Sequence, residues 1–230
     1  SSPTKGNVKS ATAKSLTYNA KSQTTTIVVN GKTLTLNKDF KVVSGSLKAT
    51  KAGTYTVKIK GIGNYSGDTT VKYTVNAQQS YKATAAAKTY NAKNQTTKVT
   101  VKYGNTVLKR GTDYKITGVT RAKNAGKYKI TVKGINNYKG TKTIYYTINK
   151  AAQKSVKVKV NASKKKITVS GVKAKAKVTY KSANKKVKVK NGKITVGKGV
   201  KKGTKVRITV KVAATKNYKA YSKSIIYKVK

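Results

Sequence analysis

Apolar and polar residues alternate with a period of two along most of this 230-residue chain. In "TYTVKIKG", Tyr55, Val57 and Ile59 fall on one side of an extended strand, and Thr56, Lys58 and Lys60 fall on the other. In "KYKITVKG", Tyr128, Ile130 and Val132 do the same. Such runs are short and are broken by Asn-Gly, Gly-Asn and Lys-Gly pairs, which suit tight turns between strands. Nothing carries apolar residues at helical spacing. The pattern predicts an all-β chain.

The pattern also repeats. "SLTYNAKSQTTTIVV" (15–29) matches "AKTYNAKNQTTKVTV" (87–101), and "LNKDFKV" (36–42) matches "KRGTDYKI" (109–116). "KAGTYTVKIKGIGNYSGDTTVKYTV" (51–75) matches "NAGKYKITVKGINNYKGTKTIYYTI" (124–148). The period is about 73 residues, too long for a solenoid and right for a small sandwich domain. Residues 150–230 lack the opening motif but keep the grammar, in runs such as "SVKVKV", "KKITVSG", "AKVTYKS" and "KSIIYKVK". Their end, "TKNYKAYSKSIIYKV" (215–229), echoes the second repeat. The expected organisation is a linker over 1–14, repeats over 15–76 and 77–149, and a lysine-rich third domain over 150–230.

Charge changes the picture most. There are 54 basic residues against three acids, Asp39, Asp68 and Asp113, and only Arg110, Arg121 and Arg207 are not lysine. The net charge of +51 is unevenly spread. Residues 1–76 carry 12 Lys and 2 Asp, hence +10, and residues 77–149 carry 13 Lys, 2 Arg and 1 Asp, hence +14. Residues 150–230 carry 26 Lys and 1 Arg with no acid, hence +27. So charged a chain invites a reading as disordered, and the strict alternation argues against it. Its apolar residues are mainly Val, Ile and Tyr, which fit a pleated, half-buried surface and small cores.

The same composition leaves little for catalysis. Cysteine and histidine are absent, so thiol and imidazole chemistry are too. Asp39 and Asp113 hold the same slot of the repeat, each before an aromatic residue, and read as turn residues accepting backbone N–H bonds. Asp68 is replaced by Thr141 in the second repeat. Neither phosphate-binding glycine motif occurs. The chain reads as a non-enzyme with no cofactor, no metal and no small-molecule substrate. It has no apolar run long enough for a membrane span and no leader pattern, and "SSPTKGN" reads as a linker in a piece of a longer chain. Three Asn-Tyr pairs, Asn64-Tyr65, Asn137-Tyr138 and Asn217-Tyr218, could stack on sugars or, more simply, pack between strands.

With "TYNAK-Q", "(K/T)D(F/Y)" and "AG-Y" followed by "NY-G", the first two repeats resemble bacterial Ig-like modules found in tandem in surface proteins of Gram-positive gut bacteria. The third segment, through "VTYKSANKKVKVKNGKITVGKGVKKGTKVRITV", resembles the second type of bacterial Ig-like domain. The resemblance implies three tandem small Ig-like β-sandwich domains in an elongated array, extracellular, on a bacterial cell surface or secreted. Gly53 and Gly126, two residues before Tyr55 and Tyr128, resemble the tyrosine corner of Ig sandwiches, with Val57 and Ile130 where antibody domains carry cysteine. The third segment departs from this, with Lys205 after Gly203-Thr204. Some surface Ig-like domains join a Lys to an Asn covalently beside an acid, which Asp39 or Asp113 would have to supply.

Alternation also predicts where the lysines point. If Val156, Val158 and Val160 face inward, Lys157 and Lys159 face out, roughly 6.6 Å apart at about 3.3 Å per residue. The expected polyanion-binding residues are Lys157, Lys159, Lys164, Lys165, Lys166, Lys185, Lys186, Lys188, Lys190, Lys201, Lys202, Arg207 and Lys211. Tyr55, Tyr128, Asp39 and Asp113 are expected to be structural. Lysine neutralises anions without fixed geometry, and scarce arginine argues against base-edge reading. The expected partners of a monomeric chain are therefore cell-wall teichoic acids, sulfated or sialylated glycans and, non-specifically, nucleic acid. The alternatives are a passive stalk within a larger surface protein, or an Ig-like scaffold supercharged by design.

Overall fold

A computed structural model describes residues 6–230, and in that range every regular element is a strand apart from two three-residue 3₁₀ turns, Val8–Ser10 and Lys173–Lys175. Contacts divide the chain into two compact units. One comprises Ser1–Ala85, Val99–Gly118 and Lys129–Ile144, the other Ala86–Lys98, Val119–Tyr128 and Tyr145–Lys230.

The first unit holds the whole of the first repeat. Its two longest strands, Gly53–Gly61 and Asp68–Asn76, pair antiparallel from Gly53 opposite Val75 to Lys60 opposite Asp68. Phe40–Ser44 adds to one edge through a bulge between Val42 and Ser44, and Leu16–Thr17 adds parallel to the other. A second sheet is built from Thr12–Ala13, Ile27–Val29 and Lys32–Thr33, closed by the Asn30-Gly31 turn, where both residues have positive φ (49° and 78°). The inward residues of both sheets, among them Ile27, Val29, Phe40, Val57, Ile59, Val71 and Tyr73, form one buried cluster. Each such side chain contributes roughly 1.5–3 kcal/mol by leaving water. Gly45 and Gly118 hold equivalent places beside these strands, at φ +82° and +103°. A Cβ there would lie 2.4 and 2.6 Å from the carbonyl oxygens of Thr56 and Lys129, so glycine is required.

The linker expected over 1–14 is corrected for its described part, while residues 1–5 lie outside the described residues. Gly6–Asn7 pairs parallel with Tyr65–Ser66, and Val8 is fully buried in the first repeat's core. A valine needing a dry partner and a backbone needing bonds pull this segment into the sandwich. Its counterpart Tyr81, also buried, carries the second repeat's version of the same plug, with its hydroxyl donating to Gly140 O at 2.6 Å.

The parts of the second repeat in this unit follow the same scheme. Lys82–Ala85, Val99–Tyr103 and Thr106–Val107 form one sheet, and Tyr114–Gly118 pairs antiparallel with Gly126–Gly134. In the second unit, Lys88–Thr89 pairs parallel with Ile148–Asn149, and Gln95–Thr96 pairs with Arg121–Ala122.

The third segment lies wholly in the second unit. One sheet orders its strands as Lys157–Asn161, Lys166–Ser170, Lys193–Val196, Val187–Lys190, and the other as Val178–Ser182, Lys205–Val212, Tyr221–Lys228. Ile167, Val187 and Ile194 from the first meet Val206, Ile208, Val210 and Tyr227 from the second in one core. Val158 is half-buried, as expected, but Val160 is 36% exposed. Its strand is the sheet's edge, where the hairpin runs past the end of the core.

Candidate functional site

The residues read as structural lie at turns and sheet corners. Tyr55 Oη donates to Lys51 O at 2.6 Å and stacks on Tyr73 with ring centroids 5.2 Å apart. In the second repeat Tyr128 Oη donates to Asn124 O at 2.5 Å and stacks on Tyr146 at 5.4 Å. The lower ring of each stack is anchored too: Tyr73 Oη donates to Ser46 O at 2.9 Å and Tyr146 Oη to Val119 O at 2.8 Å. Burial raises the Tyr73 phenol above its ordinary value, as does neighbouring Tyr55. Asp39 accepts the N–H of Thr35, and Asp113 that of Lys109, each at 2.8 Å through Oδ2. These carboxylates close a turn. Among the described residues, no three His, Cys, Asp or Glu side chains gather as a metal site would need.

The third segment has no such anchor for its core tyrosine. Tyr227 is fully buried in the strand Tyr221–Lys228, opposite Val206, and its hydroxyl has no hydrogen-bond partner.

Charge is displayed outward. Among the described residues no lysine or arginine is buried. On the first sheet of the third segment, Lys157, Lys159, Lys166, Lys188 and Lys190 are exposed on strands. Register sharpens this. Lys166 lies opposite Lys193, and Lys193 lies opposite Lys190, so three cations stand abreast on adjacent strands about 4.8 Å apart. Like charges directly opposite on a sheet are destabilising. Arg207 and Lys211 belong to the other sheet, on the far side of the core, where Lys205 lies opposite Lys228 and Lys211 lies between Thr179 and Ser222.

The remaining expected residues sit in turns. Lys164 donates its backbone N–H to Asn161 Oδ1 at 3.1 Å, Lys165 has φ 52°, and Lys186 donates to Asn184 Oδ1 at 2.9 Å. Lys185 precedes Lys186 in that turn, and Lys201 and Lys202 fill the turn that ends at Gly203. The expected set is therefore shared between two opposed faces and their turns, not gathered into one patch. Lys193, Lys205 and Lys228 complete it, and only strand register reveals them.

Cross-strand lysine pairs extend into the repeats. Lys82 lies opposite Lys102, beside a groove of about 430 Å³ lined also by Ser80, Thr84, Thr100 and Gly104. Lys115 lies opposite Lys133. In the first repeat the corresponding row runs Lys41, Lys60, Asp68, so an acid closes it.

The Asn-Tyr pairs are packing residues. Tyr65 and Tyr138 are buried and Tyr218 is half-buried. Tyr138 sits among Tyr18, Tyr81 and Tyr103 with ring centroids 5.5–6.0 Å away. Burial, with Tyr18 and Asp113 nearby, pushes its phenol up to about 12.

No family model matches this chain, and no curated protein matches it. Among solved structures it is similar to extracellular domains 3–5 of Drosophila OTK, at 9% identity over 97% of this chain and 96% of that one, with a TM-score of 0.32. It is similar to three N-terminal domains of the bacteriophage RB49 highly immunogenic outer capsid protein, at 13% identity over 96% and 97%, TM-score 0.31. Against Sidekick-1 immunoglobulin domains 1–5 the identity is 11% over 96% of this chain and 57% of that chain, TM-score 0.26. Scores this low carry no argument, and the fold rests on the strand pairing itself. Among the described residues no helix is long and apolar enough to cross a membrane.

Proposed function

We propose that this chain is a non-enzymatic, extracellular surface module that holds anionic polymers through its lysine faces, most strongly in residues 150–230. The observation that carries the reading is the uncompensated row Lys190, Lys193, Lys166. Three cations abreast cost folding stability and add nothing to the core. Mixed-sign surfaces suffice for solubility, so the near-absence of acids calls for another cause. An anionic polymer supplies one: it neutralises the row, releases its own counterions, and stabilises the folded state that displays the charges in register. Because the lysines cover both outer faces and their turns, the chemistry fits a flexible polyanion that wraps, such as teichoic acid, a sulfated or sialylated glycan, or single strands and duplexes bound without sequence preference.

The test compares two variants of the full chain. One carries Lys166, Lys190 and Lys193 as Gln, the other Lys58, Lys72 and Lys129 as Gln, so both lose the same charge. Binding to teichoic acid, heparin and duplex DNA is measured across a salt series. The reading expects steep salt slopes with all three polymers, and a larger loss for the first variant. Equal losses would leave total charge as the only determinant. Negligible binding at physiological salt would favour the stalk reading, in which the lysines form a solvated coat.

A further inference from the structure

The structure contains the same hydrogen-bonded junction twice, and the third Asn-Tyr pair offers it once more without a partner. Where the second repeat follows the first, Asn137 Oδ1 accepts the backbone N–H of Ala52 at 2.9 Å, and the Tyr138 ring meets Tyr18 edge-on at 5.5 Å and 79°. Where the third segment follows the second repeat, Asn217 Oδ1 accepts the N–H of Ala125 at 2.8 Å, and Tyr218 meets Tyr90 edge-on at 5.5 Å and 80°. Ala52 and Ala125 belong to the Ala-Gly turns, and Tyr18 and Tyr90 to the Tyr-Asn-Ala motifs, of the repeats that come before.

The chain enters both junctions in the same way. Gln78 bridges Tyr138 in parallel and donates its N–H to Asn137 O at 2.9 Å, and Ala151 bridges Tyr218 and donates to Asn217 O at 2.9 Å. Gly6 pairs with Tyr65 in the same parallel sense. Yet Asn64 is exposed where Asn137 and Asn217 are half-buried, and among the described residues nothing hydrogen-bonds its side chain.

We propose that the end of the first repeat bearing Asn64 and Tyr65 is a docking surface for another repeat of the first type, placed ahead of Gly6. The occupant must present a backbone N–H at an Ala-Gly turn and a tyrosine edge from a Tyr-Asn-Ala motif. The first two repeats carry both features. The third segment has Lys202-Gly203-Thr204 and no Tyr-Asn-Ala, so it cannot be the occupant. Charge does not forbid the union, because segments of +10 and +14 already meet through this geometry. The junction satisfies an amide that a turn leaves exposed and sets two aromatic rings edge to face, a favoured arrangement. The proposal does not depend on the polyanion reading.

To test it, a copy of residues 6–77 is joined directly to Gly6 of the full chain, which reproduces the Asn76-Ala77 approach to the bridge. Hydrogen exchange is read at the Ala52 amide of the added copy and at the native Ala52. The added amide should be as protected as the native one, and Asn64→Ala should speed its exchange about tenfold, the loss of one hydrogen bond. Asn137→Ala should do the same at the native Ala52 alone, which calibrates the effect and shows that the extended chain is folded. An added amide that exchanges at one rate with either residue at 64, while the native amide still responds to Asn137→Ala, overturns the proposal. Self-association of the unextended chain that Asn64→Ala abolishes would overturn it too, since the surface would then receive a second molecule.

Discussion

The first repeat and the third segment solve the same folding problem with opposite tolerance for charge. In the first repeat a row of outward residues runs Lys41, Lys60, Asp68, so the cation in the middle has an acid opposite it. In the third segment the comparable row is Lys190, Lys193, Lys166, with lysine on every strand. Their cores differ in the same direction. Tyr73 is buried with its hydroxyl bonded to Ser46 O, whereas Tyr227 is buried with its hydroxyl unpaired. The third segment thus gives up stability at two places where the first repeat secures it. A domain selected for folding alone has no reason to do so, and one selected to display cations has a reason for the first sacrifice.

The largest expected effect is on binding. Neutralising Lys166, Lys190 and Lys193 should lower the salt slope for duplex DNA by roughly 2–3, at about 0.9 per phosphate released. A slope unchanged within 0.5 (an order-of-magnitude threshold on the same scale) would break the contrast, because the row would then make no contact. The tyrosines come next. Tyr73→Phe should cost about 1 kcal/mol in chemical denaturation by leaving Ser46 O without its donor, while Tyr227→Phe should be neutral or slightly stabilising. Equal costs would mean that Tyr227 finds a partner in solution.

Alkaline pH sharpens the same comparison. The Tyr73 phenol is raised from 10.0 by burial and by Tyr55. Its contribution is complete below the unfolded value and is lost as pH climbs from about 10 through the folded one, because the unfolded chain releases that proton first. Tyr73→Phe should therefore flatten the alkaline limb of a stability profile. The smallest effect is cross-strand charge. Asp68→Asn should destabilise the first repeat by about 0.2–1 kcal/mol at low salt, and Lys193→Glu should stabilise the third segment by a similar amount. Both differences should fade as salt screens them.

The sequence by itself determined what is local. A period of two assigns Val57 and Ile59 to the core and Lys58 and Lys60 to water, whatever strand lies alongside. Asn30-Gly31 and Asn191-Gly192 mark hairpins because both residues of each pair need positive φ. The excess of lysine in 150–230 is visible by counting. The same local reading failed at residues 6–13, where a short polar stretch conceals one buried valine, and at Val160, where alternation continues beyond the edge of the core. Only the tertiary structure decided which lysines stand opposite one another. Lys193 faces Lys166 across 27 residues of chain because two hairpins meet at one corner, and no local rule fixes that register. It also decided that Asn137 serves Ala52, 85 residues earlier, a bond that exists only once the ends of two folded repeats are brought together. Side-chain direction follows from the backbone of a single strand, whereas partnership depends on packing between strands distant in sequence.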